Sequence, residues 1–172
     1  MKKMTSAYAN KLIRQLEEDK AFWLTKERES YLYTAAINEE PVIPEYDYKE
    51  VSAVIAGIDE KICKIKHAIN LSNVNSLILV GEKEMSIDCA LVRMAQLNNR
   101  KIMLDSMRKT LPKTRVMGYA ARNQVPEYQY INYDMEVVKA DYEKINDEIM
   151  AIQIALDKHN QTVEFEVDIE YI

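Results

Sequence analysis

Residues that interrupt regular structure are scarce in this chain, which has 172 residues but only 3 glycines and 4 prolines. Both counts lie far below average usage, so we expect long uninterrupted elements. No apolar run approaches the roughly 20 residues that cross a bilayer. The N-terminus has two lysines but neither the apolar core nor the cleavage site of a signal peptide. We therefore expect a cytoplasmic protein with no membrane partner.

Residues that carry metal or nucleophilic chemistry are also few. The 2 histidines, His67 and His159, belong to no HExxH or ExxH pair. Cys63 and Cys89 have no CxxC partner, so we interpret them as free and mostly buried thiols. The 3 glycines are isolated, which excludes a P-loop and a GxGxxG turn. Since no nucleophile, base and orienting group can be named together, we expect a non-enzymatic protein with no cofactor and no bound metal.

Helical periodicity is abundant, and it appears as three apolar seams. The helix that starts near Tyr48 has its seam at Val51, Ile55, Ile58, Ile62, Ile65 and Ile69. The last helix, with Asp134 as its N-cap, has its seam at Val138, Tyr142, Ile145, Ile149, Ile152 and Leu156. A third helix begins at Ser86, ends at Pro112 and carries Ile87, Leu91, Met94, Leu97, Leu104 and Leu111. Its seam skips position 101, which Lys101 occupies, and the other two helices are each expected to have a long partner.

The first helix is predicted from Thr5 to Ile37, and its pattern is less regular. Apolar and charged residues share its faces, so we expect it to be half-exposed or to contact another subunit. The stretch NEEPVIPEYDY then turns the chain back into an antiparallel hairpin. Three further segments, SLILV, EYQYINY and VEFEVDIEYI, are rich in β-branched and aromatic residues. We expect these three to pair into a small sheet.

Together these patterns predict a mainly α fold, in which long antiparallel helical hairpins form a coiled-coil-like four-helix bundle with a few short β-strands. A chain of this length can bury roughly 70% of its unfolded surface around one core. Residues 1–172 are therefore predicted to form a single helical domain.

The order of these features resembles a known family. The stretches YANKLIRQLEED, NEEPVIPE, KHAINLSN, MSIDCALVRMAQLNNRK and DYEKINDEIMAIQ are spread over most of the chain. In this succession they are similar to the septicolysin-like family of small, uncharacterised bacterial proteins. The resemblance implies a helical, self-associating bacterial protein and supplies no catalytic residues. The family name suggests a cytolysin, but no segment here has membrane-inserting character.

Charge is distributed unevenly along the chain. Residues 100–122 contain seven basic residues and one acidic residue, whereas the remainder contains 16 basic and 27 acidic residues. The basic residues are Arg100, Lys101, Arg108, Lys109, Lys113, Arg115 and Arg122. This asymmetry produces a local positive field on an acidic protein. Because Pro112 ends the helix, only the portion after Leu111 is expected to be free to act as a site.

Three explanations of the basic segment stay open. The basic residues pair with acids of the same chain or of a second subunit, helped by a helix C-terminus that favours cations. Alternatively they bind nucleic acid or another polyanion, which the acidic balance of the whole chain opposes. The third explanation is a small anionic ligand held near Arg115 and Arg122. The candidate anion-binding residues are Arg108, Lys109, Lys113, Arg115 and Arg122.

Aromatic residues indicate a second candidate surface. Phe22 and Trp23, with their neighbour Leu24, cover too much of the helix circumference for one buried stripe. We expect Phe22, Trp23 and Tyr31 to form a subunit contact.

A second group of aromatic residues, Tyr128, Tyr130 and Tyr133, precedes the last helix. We interpret these tyrosines as half-buried packing rather than as an interface. The leading functional hypothesis is a non-enzymatic, self-associating helical scaffold or protein-interaction protein, whose seams and Trp23 face bind partner helices, so we expect a homo-oligomer and allow for a protein partner. The alternative is a polyanion-binding module that acts through residues 100–122.

Overall fold

The computed structural model describes residues 1–116 and 127–169, which form four helices and six short strands. The helices are α1 (Ser6–Ser30), α2 (Tyr48–Asn75), α3 (Ile87–Lys109) and α4 (Met135–Thr162). The strands are β1 (Lys2–Thr5), β2 (Leu77–Val80), β3 (Lys83–Ser86), β4 (Lys113–Arg115), β5 (Tyr128–Tyr130) and β6 (Glu164–Val167). The mainly helical fold class is confirmed, with helices that pack in pairs and short β hairpins.

The chain divides into two compact units. The first unit holds Met1–Ser76 and the chain from Asp157 onward, and the second unit holds Leu77–Leu156. Helix α4 crosses the boundary between them without interruption. Whether the two units unfold as the single domain expected from the sequence stays a prediction.

In the first unit, α1 packs against α2. Lys20 Nζ lies 2.6 Å from Asp59 Oδ1, and Lys66 Nζ lies 3.5 Å from Glu17 Oε1. Since the numbers rise along one helix as they fall along the other, the two helices are antiparallel, as predicted. The buried cluster of this unit consists of Met4, Ala9, Leu12, Ile13, Leu16, Ile58, Ile65 and Val167.

Helix α1 ends at Ser30, so the predicted extension to Ile37 is wrong. The helix is closed by the Tyr31 N–H, which donates to the Glu27 carbonyl at 2.9 Å. Every residue from Tyr31 to Glu40 is exposed. Because helices in proteins are stabilised mainly by packing, α1 ends where its partly buried side chains end.

In the second unit, α3 packs against α4. Arg93 Nε donates to Glu148 Oε1 at 2.7 Å, and Lys101 Nζ donates to Asn146 Oδ1 at 2.6 Å, which again indicates antiparallel helices. The buried cluster of this unit consists of Ile78, Ile87, Ala90, Leu97, Ile149, Ile152 and Leu156.

The predicted seams of α2 and α4 are confirmed, because all their positions are buried or half-buried. The predicted seam of α3 is wrong at Leu91 and Leu111, which are exposed. Ala90, one residue before Leu91, occupies the buried position instead, and Leu111 lies beyond the end of α3. The small side chain of Ala90 is thus buried where the apolar pattern predicted burial of the larger Leu91.

Three predicted strand segments contain β2, β5 and β6, but these strands do not pair with one another. Each pairs antiparallel with a strand that the sequence had not indicated, in the pairs β1–β6, β2–β3 and β4–β5. The β2–β3 hairpin shows why. Gly81 has φ +62° and Glu82 has no positive φ, as in a two-residue type II′ turn. Such a turn brings the next four residues alongside β2 even though their own β propensity is weak.

Both cysteines are free and exposed, so the prediction of mostly buried thiols is wrong. Cys63 follows the seam residue Ile62, and Cys89 precedes the buried Ala90. Adjacent residues of a helix point about 100° apart, so a neighbour of a buried position is turned towards solvent. Within the described residues, no helix contains an apolar stretch of the length that a bilayer requires.

Candidate functional site

The candidate anion-binding residues lie on two elements of the second unit. Arg108 and Lys109 belong to the last turn of α3, whereas Lys113 and Arg115 belong to β4. Arg122 lies outside the described residues. Two of the candidate cations thus precede Pro112 in a helix, and two follow it in a strand.

The two helical cations share one acid, which offsets one of their two charges. Arg108 donates from Nε and Nη2 to Asp105 Oδ1 at 2.8 and 2.6 Å, and Lys109 Nζ donates to Asp105 Oδ2. Hydrogen bonds from Lys109 and Arg108 lower the pKa of Asp105, and the bond to Asp105 raises the pKa of Arg108. The Arg108 guanidinium also lies 4.0 Å from the centre of the Tyr142 ring. These contacts favour intramolecular pairing as the role of both helical cations.

Lys101 has a structural place in the contact between α3 and α4. It is half-buried, donates to Asn146, and its ammonium lies 5.6 Å from the centre of the Tyr142 ring. A polar pair thus replaces the apolar contact that the seam skips. Lys101 was recognised in the sequence only as an interruption, because its partner is 45 residues away along the chain.

The residues after Pro112 are arranged differently, because they form one strand of the β4–β5 hairpin. Lys113 is opposite Tyr130, and Arg115 is opposite Tyr128. Opposed residues share a face of an antiparallel pair, and residues two apart along a strand also share a face. The four side chains therefore lie on the same face, which we call the Lys-Arg-Tyr-Tyr face.

The Lys-Arg-Tyr-Tyr face is open to solvent. Tyr128 is 43% exposed and Tyr130 is 65% exposed, so the prediction of half-buried packing is wrong for these two tyrosines. The Lys113 ammonium lies 4.2 Å from the centre of the Tyr128 ring and 5.4 Å from that of Tyr130. The Arg115 side chain has no partner in the part of the chain that the structure describes. The period-2 alternation of KTR and YQY was the available signal, but only the register reveals that the four residues meet.

Backbone and side-chain hydrogen bonds hold this hairpin in place. The Ile131 N–H donates to the Pro112 carbonyl at 3.2 Å, and the Val116 N–H donates to the Glu127 carbonyl at 2.9 Å. The Tyr133 hydroxyl donates to the Met107 carbonyl at 2.8 Å, which joins the chain after β5 to the end of α3. Tyr133 is thus the one tyrosine of the three that is half-buried.

The two histidines occupy contrasting environments. His67 is exposed and lines an open cleft of about 430 Å³ together with Phe165, Glu166 and Asp168. His159 is buried, and burial lowers its pKa. Among residues 1–116 and 127–169, no three histidine, cysteine or acidic side chains are grouped closely enough to hold a metal ion.

The second candidate surface lies on α1 in the first unit. Phe22 and Tyr31 are exposed, whereas Trp23 is half-buried and packs against the core of this unit. The Phe22 and Trp23 rings meet edge to face with centres 5.7 Å apart, and the Lys26 ammonium lies 5.1 Å from the centre of the Trp23 ring. Trp23 therefore anchors a surface on which Phe22 is presented to solvent.

Comparison with known proteins supports the fold but gives no information about the chemistry of the candidate sites. No family model and no curated protein matches this chain. The solved structure of a functionally unknown conserved protein from Corynebacterium diphtheriae covers 96% of this chain and 100% of its own, with a TM-score of 0.65 and 12% sequence identity. At that identity the likeness shows the fold alone. The chain is thus a mainly helical protein that resembles a bacterial protein of unknown function.

Proposed function

We propose that this chain is a non-enzymatic helical scaffold that associates with copies of itself through residues 22–43 of the first unit, here called the 22–43 surface. The observation that carries the proposal is the concentration of exposed large apolar side chains in this range. Phe22 is 65% exposed, Leu32 68% and Val42 90%, and Ile37 is fully exposed. Exposed apolar residues that occur singly are ordinary, but a contiguous group of them is typical of an interaction site.

The energetic reason is the gain from removing these side chains from water. Complete burial of one such apolar side chain contributes about 1.5 to 3 kcal/mol. In a twofold dimer each residue is buried twice, because the same patch serves both subunits. Four such side chains could therefore offset an association cost estimated at about 4 to 15 kcal/mol.

Charge on α1 supports a second copy as the partner. Lys26 and Glu29 are three residues apart on this helix and therefore share a face, so an antiparallel contact with a second copy would place each lysine against a glutamate. The Tyr46 hydroxyl donates to Glu27 Oε1 at 2.9 Å, which ties the end of the irregular segment back to α1. The resemblance to the septicolysin-like family, which implies self-association, agrees with this proposal.

Sedimentation of the full chain tests the proposal. We expect a mass that is a multiple of 20.0 kDa and that persists in high salt, because apolar contacts are not screened. The double variant Phe22→Ser and Leu32→Ser should sediment as a monomer. The matched control is Leu79→Ser, which places the same change at an exposed leucine of β2 in the second unit. A monomeric wild type, or dissociation by the control alone, would contradict the proposal.

A further inference from the structure

We propose that the Lys-Arg-Tyr-Tyr face of the β4–β5 hairpin binds single-stranded nucleic acid. In this complex β4 contacts the phosphates and β5 stacks against the bases. This activity goes beyond self-association and uses a different surface of the chain. The proposed binding site does not include the helical cations Arg108 and Lys109, because both are paired with Asp105.

The arrangement of the four side chains matches the layout of an extended single strand. Lys113 and Arg115 form a row of cations on β4, and Tyr128 and Tyr130 form a row of rings on the adjacent β5. The two rows run side by side about 4.8 Å apart, the ordinary distance between neighbouring strands. A single-stranded nucleic acid likewise has phosphates along one edge and bases along the other. Proteins that bind it without sequence preference combine a basic track with aromatic stacking in this way.

The groups on this face are available to a ligand. Arg115 has no partner within the described residues, and Lys113 contacts tyrosine rings rather than an acid, so no residue of the described ranges neutralises either charge. A cation lying on an exposed ring is held more weakly than a base stacked on that ring. A phosphate can therefore draw Lys113 away from Tyr128 and leave the ring face to a base. The exposed Tyr130 is open to a second base.

The tyrosines distinguish a single strand from other anions. In a duplex the bases are already stacked on one another, so the two rings would find no base to contact. An acidic peptide could use Lys113 and Arg115 but would gain nothing from stacking. The acidic balance of the whole chain, net charge −5, limits the attraction to this local face. We therefore expect a short site of about two nucleotides with modest salt dependence, a slope of log K against log salt near −1.4 for two phosphates.

Fluorescence anisotropy of the full chain with labelled oligothymidylate of about 12 nucleotides tests this proposal. The double variant Tyr128→Ala and Tyr130→Ala should lose at least about 10-fold in affinity, whereas Tyr128→Phe with Tyr130→Phe should keep most of it, because phenylalanine retains the stacking surface. The double variant Lys113→Ala and Arg115→Ala should abolish most of the salt dependence.

Matched controls separate this face from the rest of the basic segment. Thr114→Ala with Gln129→Ala alters the opposite side of the same hairpin, and Lys109→Ala removes a cation that is already paired; both should bind as wild type. Circular dichroism establishes that each variant is folded. Repeating the titration with Phe22→Ser and Leu32→Ser keeps the outcome separate from self-association, since the monomer should bind equally well.

Several results would overturn the proposal. These are absence of binding at low salt, equal affinity for a duplex or for polyglutamate, and indifference of the affinity to the alanine changes at Tyr128 and Tyr130. Comparing the affinity for oligouridylate with that for oligothymidylate shows whether the site prefers RNA or DNA. Tighter binding of either oligonucleotide supports the proposed site.

Discussion

The replacement of Ile152 with alanine tests whether the two units unfold as one domain. Ile152 is 0% exposed in the core of the second unit, so the change leaves a cavity. We expect the free energy of unfolding to fall by about 3 kcal/mol, within the range for buried isoleucine. For a chain of this size the melting temperature should then fall by about 6 to 12 °C. Ile154 of the same helix is 65% exposed, and its alanine variant, the matched control, should stay within about 0.5 kcal/mol of wild type.

Trp23 makes this experiment informative about both units. It is the single tryptophan of the chain and packs against the core of the first unit, whereas the altered side chain belongs to the core of the second. Helix α4 is continuous through both units, so loss of structure in one unit should disturb a helix that the other unit also contains. We therefore expect tryptophan fluorescence and circular dichroism to shift together in Ile152→Ala. A fluorescence midpoint that stays at the wild-type temperature would refute the single-domain reasoning.

Two further predictions concern buried polar groups that have no hydrogen-bond partner among the described residues, the His159 ring and the Ser6 hydroxyl. Burial lowers the pKa of His159 from 6.5, so the unfolded chain binds the proton more readily and wild-type stability should fall as pH drops below about 6.5. His159→Leu should remove this dependence of stability on pH and raise the free energy of unfolding at neutral pH by about 1 to 3 kcal/mol. Urea denaturation at several pH values measures both effects. The prediction would be contradicted if the exposed His67→Leu variant, rather than His159→Leu, lost the pH dependence. Ser6→Ala should raise the free energy of unfolding by about 1 kcal/mol in the same assay, and a decrease would mean that the hydroxyl makes a stabilising contact.

Sequence patterns were most informative for the helices. Val51, Ile58 and Ile65 recur at helical spacing because one face of α2 must leave water, and all three are buried. Asp134 was recognised as the N-cap of α4, and its carboxylate accepts the Glu136 N–H at 2.8 Å. Both features depend on residues within one or two turns of each other, so a local pattern contains the needed information.

Patterns failed where the partner is distant or the choice lies between neighbours. The sequence shows that Lys101 interrupts a seam, but not that Asn146 meets it. It contains the alternation of β4 and β5, but not the register that places Lys113 opposite Tyr130. At Ala90 and Leu91 it favours the larger side chain, whereas packing buries the smaller one.

The division between the two kinds of information follows from the range of the forces. Periodicity, capping and scarcity of glycine and proline act within a few residues, so the chain alone specified long helices, their seams and the basic character of residues 100–122. Strand pairing, the end of α1 and the position of Lys113 depend on contacts between residues far apart in sequence. The pairing of Arg108 with Asp105 is local, three residues along α3, whereas the tertiary structure alone placed Lys113 beside Tyr128, because the register of β4 and β5 decides which side chains meet.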